Sequence, residues 1–254
     1  MTILQGNRLV LDDMKTLVPD PNETRIYTIG AINGRDDLLV KMIAEIEQCN
    51  LLASNDKIVF LGNFVGKEGS SRTVIDLLKQ YQRLRPMHVQ ILRGASEHKM
   101  AQSRINFMRS DLGKEILRSY KTTHMLFPNS ETNKLDVKQF MEDTVWIESL
   151  PTYYESDKYF FVHSGVNPDK DLDKQSLGGF MFIQEPFYKS VRLFAKKIVH
   201  TYAGDRLCVK MNRLGIGHDT PKKLSCVVLC DKKPANKVEV FGKVIEELMI
   251  VSKD

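Results

Sequence analysis

The sequence lacks any long apolar run. Across 254 residues, no apolar stretch approaches the roughly 20 residues that a membrane-spanning helix needs. The first residues, "MTILQGNRLVLDDMK", have neither the apolar core of a secretory signal nor the Arg-rich pattern of a transit peptide. We therefore expect a cytoplasmic protein without membrane contact.

Cysteine is scarce, and no two of the four cysteines form a CxxC pair. Cys226 and Cys230 lie four residues apart in "LSCVVLC", which predicts a strand. That spacing puts both side chains on one face of the strand without the geometry of a disulfide. The pattern predicts reduced and mostly packed thiols.

Low-complexity tracts and long linkers are also absent. With 42% hydrophobic and 27% charged residues, the chain is typical of a globular protein with a large core, and we expect one domain over 1–254, with an N-terminal extension at 1–23. The net charge of +5 is concentrated in 191–254, which contains 13 Lys and Arg and 7 Asp and Glu. Such a basic region can attract nucleic acid or an acidic protein, or it can be a solvated surface.

The first third of the chain alternates strand and helix signals. Short apolar runs that end at glycine alternate with helical patterns, which predicts right-handed βαβ units and a largely parallel sheet. The segments in question are "TRIYTIGAI", "RDDLLVKMIAEIEQCNL", "DKIVFLGNF", "SSRTVIDLLKQYQRL" and "MHVQILRGA". Their strands end at Gly30, Gly62 and Gly94, and open α/β sheets bind ligands at such strand ends.

Two further regions complete the predicted α/β fold. Residues 99–150 are helical and polar in pattern, which predicts a cap over the strand ends. A second set of strand signals follows, and we expect it to form a second sheet packed on the first. Its members are "KYFFVHSGV", "AKKIVHTY", "NRLGIG", "KLSCVVLC" and "NKVEVFGKV".

These blocks, in this order, resemble the metal-dependent serine/threonine phosphoprotein phosphatases, and especially their compact bacterial and phage members. The likeness covers about residues 24–245 and includes "YTIGAINGRDDLL", "VQILRGASEH", "WIESLPTYY" and "YFFVHSGVNP". It implies the calcineurin-like metallophosphoesterase fold, a two-sheet β-sandwich flanked by helices. It also implies a two-metal site built from Gly-Asp-x-His-Gly, Gly-Asp-x-x-Asp-Arg-Gly, Gly-Asn-His-Glu and two later histidines.

The first two of these motifs have lost their chemistry. Ala31 and Asn33 stand where the resemblance implies the Asp and His ligands. Asn63 replaces the bridging Asp, Gly66 replaces the second Asp, and Lys67 replaces the phosphate-binding Arg. A neutral amide bridges two dications poorly, because it brings no charge to offset their repulsion.

The later motifs are degenerate as well. Ala95 and Ser96 replace the metal-binding Asn and the proton-donating His. His163 keeps the position of a metal ligand, although a lone histidine at a strand end is more often a core residue. The last ligand falls on Tyr202 in a gapless match, or on His200 with one gap.

Several polar residues persist near the lost site. Lys67 and Arg93 would both lie at the former phosphate position, where they could hold an anion without metal. Glu97 is expected to support the loop framework, and His98 to turn towards the cap.

The resemblance and its departures together predict a pseudophosphatase without metal or other cofactor. We expect it to act as a binding or structural component through protein partners, in an assembly or alone. Three alternatives stay open. They are a weak or unusual phosphoesterase, a sensor of phosphate compounds in the emptied cleft, and a nucleic-acid-associated factor that uses the basic C-terminal quarter.

Overall fold

The computed structural model describes residues 24–48, 55–102, 104–121, 135–182, 185–204, 207–217, 223–230 and 241–246, with Cys230 and 241–246 as backbone. The predicted N-terminal extension, Cys49 and much of the basic C-terminal region lie outside these residues. The strands are β1 (Arg25–Ile29), β2 (Lys57–Phe60), β3 (Val89–Ile91), β4 (Tyr153–Glu155), β5 (Tyr159–Val162), β6 (Lys197–Tyr202), β7 (Cys208–Val209), β8 (Arg213–Gly217), β9 (Lys223–Cys230) and β10 (Phe241–Glu246). The helices are α1 (Asp36–Gln48), α2 (Ser71–Leu84), α3 (Ala95–Gln102), α4 (Arg104–Arg109), α5 (Asp111–Arg118), α6 (Val137–Ser149), α7 (Leu177–Phe182) and α8 (Glu185–Lys189).

Two five-stranded sheets form the centre of the fold. The first has the order β10-β9-β1-β2-β3, and the second has the order β4-β5-β6-β8-β7. In the first sheet β1, β2 and β3 are parallel, and in the second β5, β6 and β8 are parallel. This α/β architecture of two sheets flanked by helices confirms the predicted fold class.

Two strand assignments in the sequence analysis were wrong. The segments "KLSCVVLC" and "NKVEVFGKV" were expected in the second sheet, but β9 and β10 belong to the first. β9 pairs antiparallel with β1 over five residues, from Arg25 opposite Cys230 to Ile29 opposite Cys226. The pattern of a strand predicts which side chains share one face of the sheet, but it does not identify the neighbouring strand. The chain therefore returns to the first sheet in β9 and β10.

Alternation within the strands divides the core into layers. In β1, Ile26 faces the second sheet, whereas Tyr27 and Ile29 face the helices. Leu61 of the first sheet and Phe161 of the second lie in the same inter-sheet cluster. The packing of the two inner faces keeps the loops at the strand ends in fixed relative positions.

The helical layer on the outer face of the first sheet includes the segment predicted as a cap. Ser70 caps the start of α2, and its hydroxyl accepts a hydrogen bond from the Thr73 N–H at 3.2 Å. Residues 99–150 are helical over most of their described length, and Phe107 and Phe140 enter the same core cluster as α1 and α2. Within the described residues, no helix has the length and apolar character that crossing a membrane would require.

Candidate functional site

Three loops at the carboxyl ends of β1, β2 and β3 meet at one edge of the first sheet. The N–H groups of Ile32 and Asn33 both donate to the Asn63 carbonyl, at 3.1 and 2.9 Å. The Gly34 N–H donates to the Phe64 carbonyl at 2.9 Å. The first two loops are thus joined by direct backbone hydrogen bonds, as strands are.

Glu97 joins the second and third loops. One carboxylate oxygen accepts from the N–H groups of Asn63 and Gly94 at 2.7 and 2.8 Å, and the other accepts from Val65 at 2.8 Å. Burial raises the pKa of this carboxyl to about 7, although the backbone N–H groups act in the opposite direction. The structure agrees with the framework role expected for Glu97, because its two carboxylate oxygens are occupied by main-chain donors.

The two asparagines at positions where the resemblance implies metal ligands adopt the left-handed backbone conformation. Asn33 has a φ of 54° and Asn63 has a φ of 51°, a region that asparagine tolerates better than most residues. The Asn63 side-chain oxygen accepts a hydrogen bond from the Ser96 N–H at 2.9 Å, in the first turn of α3. The Asn63 amide, at the position where the resemblance implies a bridging carboxylate, therefore serves as a cap for this turn.

Glycine is required where the loops cross. Gly62 has a φ of 87°, and a Cβ there would lie 2.5 Å from the Gly94 nitrogen. At Gly66, where the resemblance implies a second aspartate, a Cβ would lie 2.3 Å from the Asn33 carbonyl oxygen. Real Cβ atoms do not approach this closely, so the backbone of the first loop fills the space of that side chain.

The remaining positions of the N-terminal motifs carry no ligand either. Ala31 is buried at the end of β1, and Ala95 is the first residue of α3. Lys67 is exposed. These residues lie at the loops as predicted, but none of them offers a carboxylate or an imidazole.

His163 connects the two sheets. Its Nδ1 lies 3.0 Å from the Leu61 carbonyl oxygen, so Nδ1 carries the proton and donates to that oxygen. The N–H and the hydroxyl of Thr201 on β6 both donate to the His163 carbonyl at 2.8 Å. Thr201 was not identified from the sequence, although the alternation in "KIVHTY" puts it on the face of β6 opposite to its neighbours.

His200 and Tyr202, the two alternatives for the last ligand, lie on the other face of β6. The His200 ring packs 5.1 Å from the Phe187 ring and 5.7 Å from the Tyr188 ring, measured between centroids. The Tyr202 ring lies 5.9 Å from Tyr188. Both side chains therefore belong to an aromatic cluster on that face, whereas Thr201 is the β6 residue whose side chain bonds to the backbone of His163.

Arg93 and Lys67, the two cations expected to hold an anion, share no described contact. Arg93 donates from its guanidinium to the Glu148 carbonyl at 3.3 Å, and its own N–H bonds to the Pro151 carbonyl at 2.8 Å. Among the described contacts, none joins Arg93 to Lys67. His98 packs edge-on against Phe182 of α7, and burial, followed by the nearby Arg93 charge, lowers its pKa. Because α7 lies outside the predicted cap at 99–150, this contact does not confirm the expected turn of His98 towards the cap.

A dinuclear metal centre of the kind that this fold implies does not fit these residues. Within the described parts of the chain, no group of three His, Cys, Asp or Glu is arranged to hold a metal ion. The carboxylate at the loops, Glu97, accepts three backbone N–H groups, and the space at Gly66 is filled. The imidazole of His163 alone supplies too little charge to hold two dications.

The fold is that of the metallophosphoesterases. The structure is similar to that of a candidate diadenosine tetraphosphatase, with a TM-score of 0.56 and 16% identity over 85% of this chain and 92% of that one. It is also similar to a hypothetical protein from Pyrococcus horikoshii OT3 (0.52, 15%, 88% of each chain) and to a protein serine/threonine phosphatase from Saccharomyces cerevisiae (0.50, 14%, 89% and 80%). No family model matches the sequence, and no curated protein matches it either. At these identities the likeness is one of fold.

Proposed function

We propose that this protein is a pseudophosphatase, a metallophosphoesterase fold that does not hydrolyse phosphate esters and that functions by binding a protein partner. The observation that carries the proposal is the closure of the strand-end loops at Gly66. There the Asn33 backbone occupies the place of an aspartate side chain.

The reaction requires what these loops lack. Phosphate ester hydrolysis at a metal pair needs anionic ligands that hold the ions while they activate water and neutralise the phosphate. A methyl group at Ala31 and amides at Asn33 and Asn63 provide no such charge, and the Asn63 oxygen already accepts the Ser96 N–H. Two cations without an activated nucleophile would supply only a small part of the required barrier reduction.

A turnover assay tests the proposal directly. The protein is purified without added metal, and p-nitrophenyl phosphate hydrolysis is measured in excess manganese, with His163→Ala prepared identically as the control. We expect the same rate for both proteins, and no manganese-dependent rise in Tm. Turnover in the wild type that the His163→Ala variant loses would show that another ligand set rebuilds the site, and it would refute the proposal.

The same preparation separates the alternatives. A rise in Tm with phosphate or nucleotides that Lys67→Ala and Arg93→Ala abolish would favour a phosphate sensor. Binding of RNA or DNA that weakens steeply with salt would favour a nucleic-acid role for the basic C-terminal quarter. The proposed function predicts neither result.

A further inference from the structure

Two turns beside the second sheet are tied together by buried side chains. The Asn212 amide donates to the carbonyls of Ser190 and Arg192, at 3.2 and 2.9 Å. The Arg213 guanidinium donates to the Ser190 carbonyl at 3.0 Å and lies over the Phe187 ring, 5.2 Å from its centroid. Asn212 and Arg213 are both buried. The loop before β6 and the β7–β8 turn therefore form one rigid unit.

This unit presents three large apolar side chains to solvent. Val191 is 89% exposed, Leu193 is 61% exposed and Met211 is 84% exposed. Leu193 and Met211, together with Phe194, line one depression of about 160 Å³. A backbone already held by hydrogen bonds has little freedom left to lose on binding, and burial of exposed aliphatic side chains is favourable, so both features favour contact with a partner. We refer to Val191, Leu193 and Met211 as the turn patch.

The charges beside the turn patch are mainly positive. Lys158, Lys196 and Lys197 line the same depression, together with one acidic residue, Asp157. Lys196 already pairs with Glu155 at 2.8 Å. Lys197 is half-buried, and in the described part of the chain no carboxylate pairs with its ammonium group. Burial alone lowers its pKa, and a carboxylate brought into the depression would act in the opposite direction by stabilising the ammonium group.

We propose that the turn patch binds an acidic and apolar segment of a partner protein. A large aliphatic or aromatic side chain of that segment fills the depression between Leu193 and Met211, and a neighbouring Asp or Glu pairs with Lys197. This inference rests on the proposed function as a binding protein and names the surface and the partner chemistry. A nucleic acid fits less well, because the patch offers aliphatic side chains rather than exposed aromatic rings for stacking.

Peptide display gives the test, with the full chain as bait. The selecting pool is a random 12-residue peptide library, depleted first on the double variant Leu193→Ser/Met211→Ser. We expect enriched peptides that combine Asp or Glu with Leu, Ile, Phe or Met. Their measured affinity should fall at least about ten-fold for the double variant and for Lys197→Gln, and it should fall further as salt is raised.

A matched control is available at the end of α2. Leu84 is 67% exposed and Met87 is 71% exposed, so Leu84→Ser/Met87→Ser removes the same two side-chain types elsewhere on the surface. This control should bind the selected peptides as the wild type does, and all variants should keep the wild-type Tm. Enriched peptides without acidic and apolar residues, or equal binding to both double variants, would overturn the inference. The inference would also be overturned if an oligonucleotide bound the wild type and this binding were lost in Lys197→Gln.

The two proposals fail in different experiments. Phosphatase turnover would defeat the proposed function and would leave peptide binding to the turn patch unchanged. Absence of the expected peptides would remove this surface as the docking site and would leave the turnover result unchanged.

Discussion

Gly66→Ala is a substitution that the candidate site should tolerate poorly. The added methyl group would lie 2.3 Å from the carbonyl oxygen of Asn33 and 2.5 Å from its Cα. Ordinary contacts of a Cβ begin at about 3.4 Å. The neighbour at this point is backbone, so a change of rotamer cannot relieve the clash. One of the two loops must move by roughly 1 Å.

The cost follows from the contacts that such a movement disturbs. The first loop is held by the hydrogen bonds of Ile32 and Asn33 to the Asn63 carbonyl, and by that of Glu68 to the Asn33 carbonyl at 3.2 Å. Each such bond contributes about 1 kcal/mol net, and overpacking in a rigid region costs about 1–3 kcal/mol. We expect Gly66→Ala to lower the free energy of unfolding by about 2–4 kcal/mol, which corresponds to a fall in Tm of roughly 5–15 °C.

Chemical and thermal denaturation measure this effect, with Gly178→Ala as the matched control. A Cβ at Gly178 in α7 meets no atom within 4 Å. Alanine is also the better helix former, so this control should be neutral or should stabilise the protein by up to about 1 kcal/mol. If Gly66→Ala lies within about 0.5 kcal/mol of the wild type, the loops are not packed as described, and the argument for a filled site fails.

Three further predictions concern buried ionisable groups. The Glu97 carboxyl has a pKa of about 7 in the fold and 4.5 when unfolded, so the native state holds the extra proton between these values. Stability should therefore fall by about 3 kcal/mol as pH rises from 4.5 through 7, and denaturation of Glu97→Gln across this range should show a flatter profile. The Arg25–Asp56 pair is buried at 2.7 Å, so Asp56→Asn should cost about 3–5 kcal/mol in urea denaturation, and a loss below 1 kcal/mol would contradict the burial of this charge. Burial raises the pKa of the Cys226 thiol to about 12, so iodoacetamide mapped by mass spectrometry should label Cys226 only after unfolding, and native labelling would refute its packing.

Much of the first sheet could be predicted from the sequence because its signals are local. Apolar runs that end at glycine gave β1, β2 and β3, and the structure has helices between them at the predicted segments. The role of Glu97 was also accessible, since the resemblance places it beside the loops and the structure shows three backbone donors on its carboxylate. These features depend on residues that are close in the chain or share one motif.

The contacts that were missed depend on partners distant in sequence. β9 joins β1 across about 200 residues of chain, and nothing in its alternation favours that neighbour over the second sheet. Thr201 bonds to the His163 carbonyl from the next strand, a contact that becomes visible only when the register of β5 and β6 is known. The role of Gly66 was missed for the same reason. A glycine in a loop predicts a turn, and the sequence alone does not show that the backbone of another loop lies against it.

The residues at the positions where the resemblance implies metal ligands and the close packing of the loops are coupled physically, so single substitutions to aspartate would not build a metal site. An aspartate at Ala31 would bury a carboxylate at a position that is 4% exposed, without the cations that would compensate it. An aspartate at Gly66 would clash with the Asn33 backbone before any metal arrived. Each loop instead satisfies its polar groups through the others, by backbone hydrogen bonds, the Glu97 carboxylate and the Asn63 amide. The loops are therefore held together by contacts within the protein itself, and these contacts do not require a metal ion.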